Sequence, residues 1–402
     1  MEEKNQTKER VILHADVNNF FASCECATKP ELKEKPVAVT GNPKKRTGII
    51  LAKNEIAKKF GIKTGQVIGE AMALCPDLVC LAPHYDLYEN ISYELHQIYL
   101  EYTNFVEPLG LDECWLDVTD SLKYLNKTGV QIADELRERI KSKFNFTISV
   151  GVSFSKIFAK LGSDLRKPDY TTVISRENFQ EITYPLPLNS IVGIGRRLEK
   201  KFNSIDVQTI GDFVKLEDDF LQDLMGINGL RLKQDLLGER KNEVLDYYKL
   251  PPPKSIGNGT TTTSDIISKE DITKVVYFLA QKISKRMIRH KVKAEGISVT
   301  IKNKDLKTFH SSCKMRATQD VKQIAENALK LIEKIWKYKY PIRAIRVKCF
   351  NLSSSQIIQL SLFDSPKNDY SIIVDEINKK YGKIGLASDL ASFINPSPHP
   401  QE

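Results

Sequence analysis

Along the first 175 residues the hydrophobic positions alternate between a period of two and a period near 3.6. The segment VILHADV (residues 11–17) alternates, is rich in β-branched residues and predicts a strand. NNFFASCECA predicts a helix that starts near Asn18. KPVAVT and TGIILA predict short strands on either side of the polar loop GNPKKR, and NEIAKKFG a helix closed by Gly61. LVCLAP predicts a further strand, Tyr85 to Phe105 a long helix, and CWLDVT (residues 114–119) a strand. QIADELRERIKSKF is amphipathic at helical spacing, TISVGVS is strand-like and FSKIFAKLGSDL helical. This order of strands and crossover helices predicts a ferredoxin-like sheet with helices on one face.

Beyond about residue 175 the pattern changes to short helical stretches punctuated by glycine, running to Arg240. A proline cluster, Pro251 to Pro253, reads as a stiff linker. Alternation then returns: a strand at KSIGNGTTTT, a helix over 270–290, the strand AEGISVTIK, a helix over 320–337 and the strand IRAIRVKCF. The tail after Ser353, rich in serine and proline, is expected to be mobile.

A chain of 402 residues exceeds one ordinary core and suits several domains. No apolar run of membrane-spanning length occurs, and the start MEEKNQTKER lacks a signal-peptide core, so a cytoplasmic protein with no membrane role is expected. Seven cysteines without CxxC spacing or paired histidines argue against a disulfide framework and a zinc site. The net charge of +9 is unevenly spread. Residues 252–352 carry 22 lysines and arginines against 8 acids, while the rest of the chain is net acidic. That basic block points to a polyanionic partner.

Three acids break the apolar pattern in a way that suggests chemistry. Asp16 ends one apolar strand, and Asp112 and Glu113 immediately precede another. If the two strands lie side by side, all three carboxylates share one end of a sheet, where adjacent like charges are costly unless a cation neutralises them. Hard divalent ions such as Mg²⁺ favour carboxylate oxygens and substrate phosphates, and a pair of them can clamp the oxygens of phosphoryl transfer. Such a site works by positioning and charge neutralisation and needs no His or Cys nucleophile.

HADVNNFFASCE and GLDECWLDVT resemble the first two motifs of Y-family, lesion-bypassing DNA polymerases of the bacterial DNA polymerase IV and UmuC-like type. The resemblance runs from about residue 10 to 352. It implies an α+β multidomain, right-hand fold: a ferredoxin-like palm (1–18 and 85–174), small fingers (19–84) and a helix-hairpin-helix thumb (175–241). A linker (242–254), an α/β little finger (255–353) and a flexible tail (354–402) complete it. It implies template-directed addition of deoxynucleotides to a primer 3′ end, with low fidelity and bypass of damaged bases. Two Mg²⁺ ions, replaceable by Mn²⁺, would be held by Asp16, Asp112, Glu113 and the Val17 carbonyl, Glu113 being the residue commonly given the catalytic role. Asn18 departs from the Asp that many members carry.

Asn18, Asn19, Phe20 and Phe21 would line the nucleotide, Phe21 as the steric gate whose ring excludes a sugar 2′-hydroxyl. Lys58 and Lys167 match triphosphate contacts, as point charges suit phosphate. Ile49 and Leu51 match residues over the nascent base pair, though both also suit a strand core. Glu55 replaces a usual Tyr and is expected to turn away or be neutralised. Gly193 and Gly195 in IVGIGRRLEKKF suit a hairpin whose backbone approaches DNA phosphate. Lys254, Arg286, Arg289, Lys291 and Lys293 are candidate DNA contacts in the basic block. Gln359, Leu360, Leu362 and Phe363, in QLSLF, resemble the pentapeptide that binds the bacterial sliding clamp. The expected partners are primer-template DNA, deoxynucleoside triphosphates and that clamp, and the chain is expected to be a monomer. Two other functions fit parts of the pattern: an inactive DNA-binding protein, and a nucleotide cyclase with a related sheet.

Overall fold

A computed structural model describes residues 9–41, 48–337 and 340–354. These fall into two compact units that divide between Leu250 and Pro251.

The first unit opens with β1 (Ile12–Val17) and α1 (Phe20–Thr28). A small three-stranded sheet comes next, formed by β2 (Val37–Thr40) and β3 (Ile50–Lys53), helices α2 (Glu55–Lys59) and α3 (Ile68–Leu74), and β4 (Val79–Leu81). Then come α4 (Tyr85–Leu100), β5 (Val106–Leu109), β6 (Glu113–Asp117), α5 (Ser121–Leu125) and α6 (Gly129–Phe144). β7 (Ile148–Ser153), α7 (Lys156–Leu165) and β8 (Thr171–Ile174) close the main layer. The five-stranded sheet has the order β5-β6-β1-β7-β8, and the run β7-β1-β6-β5 is antiparallel throughout, the ferredoxin-like arrangement. The expected long helix over 85–105 stops at Leu100. The chain then enters β5, a strand too short, and interrupted by Pro108, for its alternation to register in sequence.

All six residues of β1 are buried, so both faces of the sheet are covered. Leu13, Ala15 and Val17 pack with Leu95 and Ile98 of α4 and Leu136 and Ile140 of α6. Ile12, His14 and Asp16 lie on the opposite face by strand alternation. Helices therefore lie on two faces and not on one: α7 takes the second. Its approach depends on glycine. A β-carbon at Gly151 of β7 would stand 1.9 Å from the Ala159 carbonyl oxygen, and one at Gly162 would stand 3.2 Å from the Gly151 Cα. Ser155 caps the helix by accepting from the Phe158 amide.

The first half of the expected linker 242–254 is also laid on this unit. Val244 is buried against Ile12 and Ala159, Arg10 donates to the Asn242 carbonyl, and the Leu245 amide donates to Glu107.

The remainder of the first unit is helical: α8 (Phe179–Thr183), α9 (Arg196–Asn203), α10 (Ile210–Val214), α11 (Asp218–Met225) and α12 (Ile227–Leu236). They share one core built on Phe158, Phe179, Phe202 and Phe213.

The second unit is a four-stranded antiparallel sheet, ordered β11-β10-β12-β9, with two helices on its apolar face. Its elements are β9 (Ser255–Ile266), α13 (Lys269–Arg289), β10 (Val292–Asn303), β11 (Thr308–Thr318), α14 (Val321–Trp336) and β12 (Ile342–Ser354). β11 is a strand that the hydrophobic pattern does not announce, because it is an edge strand with mostly polar, exposed positions. No described helix is long and apolar enough to cross a membrane.

Candidate active site

The three acids distant in sequence meet at one end of the five-stranded sheet. Asp16 and Glu113 are direct cross-strand partners in β1 and β6. Asp112 precedes Glu113 in a three-residue hairpin loop between Leu109 and Glu113, with Gly110 at φ 84°. The Asp112 carbonyl accepts from the Val17 amide at 3.0 Å, which ties the loop to β1.

Helix α7 and the turn that follows it bring cations to these carboxylates. Lys160 Nζ lies 3.1 Å from Asp16, 3.0 Å from Glu113 and 3.0 Å from Asp164, and Lys167 Nζ lies 2.8 Å from both Asp16 and Asp164. His14 is wholly buried, bonded through Nδ1 to Ser163 Oγ at 2.8 Å, with Nε2 3.6 Å from Glu113. These contacts set the electrostatics. Burial pushes Glu113 up, but His14 and Lys160 outweigh it and bring its pKa to about 2. Burial, then the charges of Asp16 and Glu113, push Asp112 up to about 6. Burial likewise raises Asp16 against the pull of Lys167 and Lys160. Among the described residues no side chain donates to the Asp112 carboxylate, the two lysines being bonded to Asp16 and Glu113.

No three His, Cys, Asp or Glu side chains among the described residues are gathered closely enough to hold a metal as they stand. The space between Asp16 and Glu113 is bridged by an ammonium. The donor set nevertheless fits a hard divalent cation: three carboxylates carrying an excess of negative charge, one of them raised to about 6 by burial and by the charges of the other two.

The other residues predicted from sequence occupy varied surroundings. Asn18 turns to β7, donating to Thr147 Oγ1 and accepting from Ser149 Oγ. Asn19, at φ 55°, caps α1 and donates to Glu55 Oε1 at 2.8 Å. Glu55 also pairs with Lys58 at 3.5 Å, so its charge is balanced locally. Phe20 is buried. Phe21 is half-buried and stacks on Tyr88, with centroids 4.4 Å apart and planes 13° apart. Ile49 is 38% exposed and bridges to Val67, while Leu51 lies in β3. Gly193 has φ 104° and Gly195 caps α9, and no atom would meet a β-carbon within 4 Å of either. Gln359, Leu360, Leu362 and Phe363 lie outside the described residues.

In the second unit, Arg286 and Arg289 end α13, Lys291 comes next at φ 53°, Lys293 lies in β10, and Lys254 precedes β9. Arg286 donates to the Gly257 carbonyl. The sheet's open face carries a second basic set that the sequence reasoning missed. Arg346 and Lys348 of β12 are exposed and face Gly259 and Gly257 of β9, forming a shallow groove, and Lys302 and Lys314 are exposed on β10 and β11. The signal was present in IRVKC, where apolar and basic residues alternate. Lys160 and Asp164 were missed too, although Lys160, Asp164 and Lys167 have the i, i+4, i+7 spacing of one helix face.

Comparison with known proteins places the chain in a family. Residues 15–164 match the model of the impB/mucB/samB family, and residues 253–362 match that family's C-terminal domain. A DNA polymerase IV of Acetivibrio thermocellus is 40% identical over 380 residues, covering 93% of this chain and 95% of the relative. DNA polymerase IV 1 of Bacillus subtilis is 33% identical over 382 residues, covering 93% and 91%. In fold, a solved Y-family DNA polymerase chimera matches with a TM-score of 0.76 at 24% identity, over 86% of this chain and 99% of that one. The chain belongs to the impB/mucB/samB family, the Y-family DNA polymerases. Within that family these two relatives are of the DNA polymerase IV kind, and membership brings dependence on a divalent metal.

Proposed function

We propose that the chain extends a primer 3′ end on a DNA template by two-metal phosphoryl transfer, with low fidelity and past damaged bases. The observation that carries this reading is the convergence of Asp16, Asp112 and Glu113 at the end of a ferredoxin-like sheet. Mg²⁺ is the metal proposed, two ions per site, with Mn²⁺ able to replace it. When bound, such ions supply Lewis-acid stabilisation to the attacking and leaving oxygens. Asp16, Asp112 and Glu113 would hold them, with the Val17 carbonyl. Lys160 pairs with Asp16 and Glu113, and Lys167 and Lys58, which pair with Asp16 and Glu55, would be available to triphosphate oxygens. Phe21 bars a ribose 2′-hydroxyl.

DNA is gripped by the open backbone at Gly193 and Gly195 and by the basic faces of the second unit, through phosphate contacts that are independent of sequence. Gln359, Leu360, Leu362 and Phe363 tether the enzyme to the sliding clamp, raising its effective concentration at the primer end. The test is primer extension with Mg²⁺ and all four deoxynucleotides. Template-directed extension by the wild type, lost in Asp16→Asn and Glu113→Gln, is expected. DNA binding without extension would leave an inactive DNA-binding protein, and a cyclic product from a free triphosphate would indicate a cyclase.

A further inference from the structure

Four residues after Phe21, one turn along the same flank of α1, stands Glu25. It is 1% exposed, yet charged and fully partnered. Its Oε1 accepts from the Tyr88 hydroxyl at 2.7 Å and meets His84 Nδ1 at 2.7 Å, and its Oε2 accepts from Lys29 at 3.1 Å. Burial raises the Glu25 pKa, but Tyr88, His84 and Lys29 outweigh it and hold the carboxyl below its ordinary range. His84 and Tyr88 belong to the cap and first turns of α4. One carboxylate on α1 therefore pins the beginning of α4, and through it the plane of the Tyr88 ring.

That ring is the surface behind Phe21. Tyr88 is wholly buried and lies face to face with Phe21, while Tyr85 meets Phe21 edge-on at 6.0 Å and 84°. With Phe21 as the steric gate, a sugar hydroxyl pressing on its open face would drive the ring toward Tyr88, on which its other face is stacked. Close-packed interiors give little, and a charge-assisted hydrogen bond resists displacement about twice as strongly as a neutral one.

We propose that Glu25 and Tyr88 are positioning residues for sugar selection, forming a rigid backstop that keeps the Phe21 ring where it rejects a 2′-hydroxyl. This rests on the reading of Phe21 as the steric gate. A purely structural role would lower deoxynucleotide and ribonucleotide efficiencies together and leave their ratio intact. The backstop role changes the ratio.

The experiment measures kcat/KM for a deoxynucleotide and its ribonucleotide with full-length protein on one primer-template, with thermal melts of the same preparations. The variants are Phe21→Ala, Tyr88→Phe, Tyr88→Leu, Glu25→Gln and Phe21→Ala/Tyr88→Leu. Phe21→Ala is expected to reduce discrimination about 10²-fold, the size of selection against an added hydroxyl in a shaped pocket. Tyr88→Leu, which removes the ring, should reduce it about tenfold, as befits roughly 1.4 kcal/mol of lost selectivity. Tyr88→Phe and Glu25→Gln, which keep both rings, should reduce it by less. The double variant should match Phe21→Ala alone. Wild-type ratios in both Tyr88 variants, with Phe21→Ala relaxed, would overturn the backstop and leave the gate standing. An unchanged ratio in Phe21→Ala would remove the gate and the backstop with it.

Discussion

Two carboxylate clusters are buried in the first unit, and they are satisfied in opposite ways. Glu25 accepts hydrogen bonds from a tyrosine, a histidine and a lysine, and its pKa falls. Asp112, buried beside Asp16 and Glu113, faces like charges, receives no side-chain donor among the described residues, and its pKa rises to about 6. Burial acts on both in the same direction, so the partners decide the sign. A buried acid surrounded by its own donors is a finished piece of structure. Acids that repel one another, steadied by His14 of β1, Lys160 of α7 and Lys167 just beyond that helix, store an electrostatic need that a doubly charged ion would answer. This contrast supports the proposed placement of the chemistry at the end of β1 and β6, beside which the Glu25 cluster is complete in itself.

The comparison can be broken most directly by neutralising one member of each cluster. Asp112→Asn should reduce single-turnover primer extension by about 10³-fold or more, comparable to losing a main electrostatic contact to the transition state. A loss below tenfold would remove Asp112 from the site. Glu25→Ala leaves the buried Tyr88 hydroxyl without its partner while the more exposed Lys29 and His84 turn to water, and should destabilise the first unit by about 1–3 kcal/mol in denaturant titration. Gly151→Ala pushes α7 off the sheet and should cost about 1–3 kcal/mol, with a fall in activity because Lys160 and Lys167 move with the helix.

The smallest effect tests the sign of the contrast by pH. Asp112 has a folded pKa above its unfolded value, so its contribution to stability is full below about 3.8 and is lost as pH rises through about 6. Glu25 behaves oppositely, its contribution being present above about 4.5 and lost on acidification. Metal-free protein should therefore gain a few degrees in melting temperature from Asp112 protonation between pH 7.5 and pH 5, on the order of 1 kcal/mol. Asp112→Asn should already show that gain at pH 7.5 and lose the pH dependence. A melting temperature lowered by Asp112→Asn at pH 7.5 would contradict the stored repulsion.

Much of this architecture was legible in the sequence, for definite physical reasons. β1, β6 and β7 announce themselves by alternation and β-branched residues, and the three acids stand out because charges at the ends of apolar strands are conspicuous. Lys160 was not legible as part of the site. A lysine on an amphipathic helix looks solvated, and its partner Asp16 lies 144 residues away in the chain. The Glu25 cluster was hidden for the same reason, since Tyr88 reads as ordinary helix core until the fold brings α4 onto α1. In the second unit, lysines and arginines near α13 drew attention by density. Arg346 and Lys348 required knowledge of which face of β12 is open. Secondary structure is set by near neighbours, whereas charge pairing across 100 residues is set by topology.

The missing side chain at Gly151 has a last consequence. Because main chain meets main chain there, the distance of α7, and of its Lys160, from the sheet that carries Asp16 is set by backbone van der Waals contact and not by the sizes of intervening side chains. Sequence can drift widely around this contact without detuning the charges, while a single methyl group at position 151 acts as a wedge on all of them together.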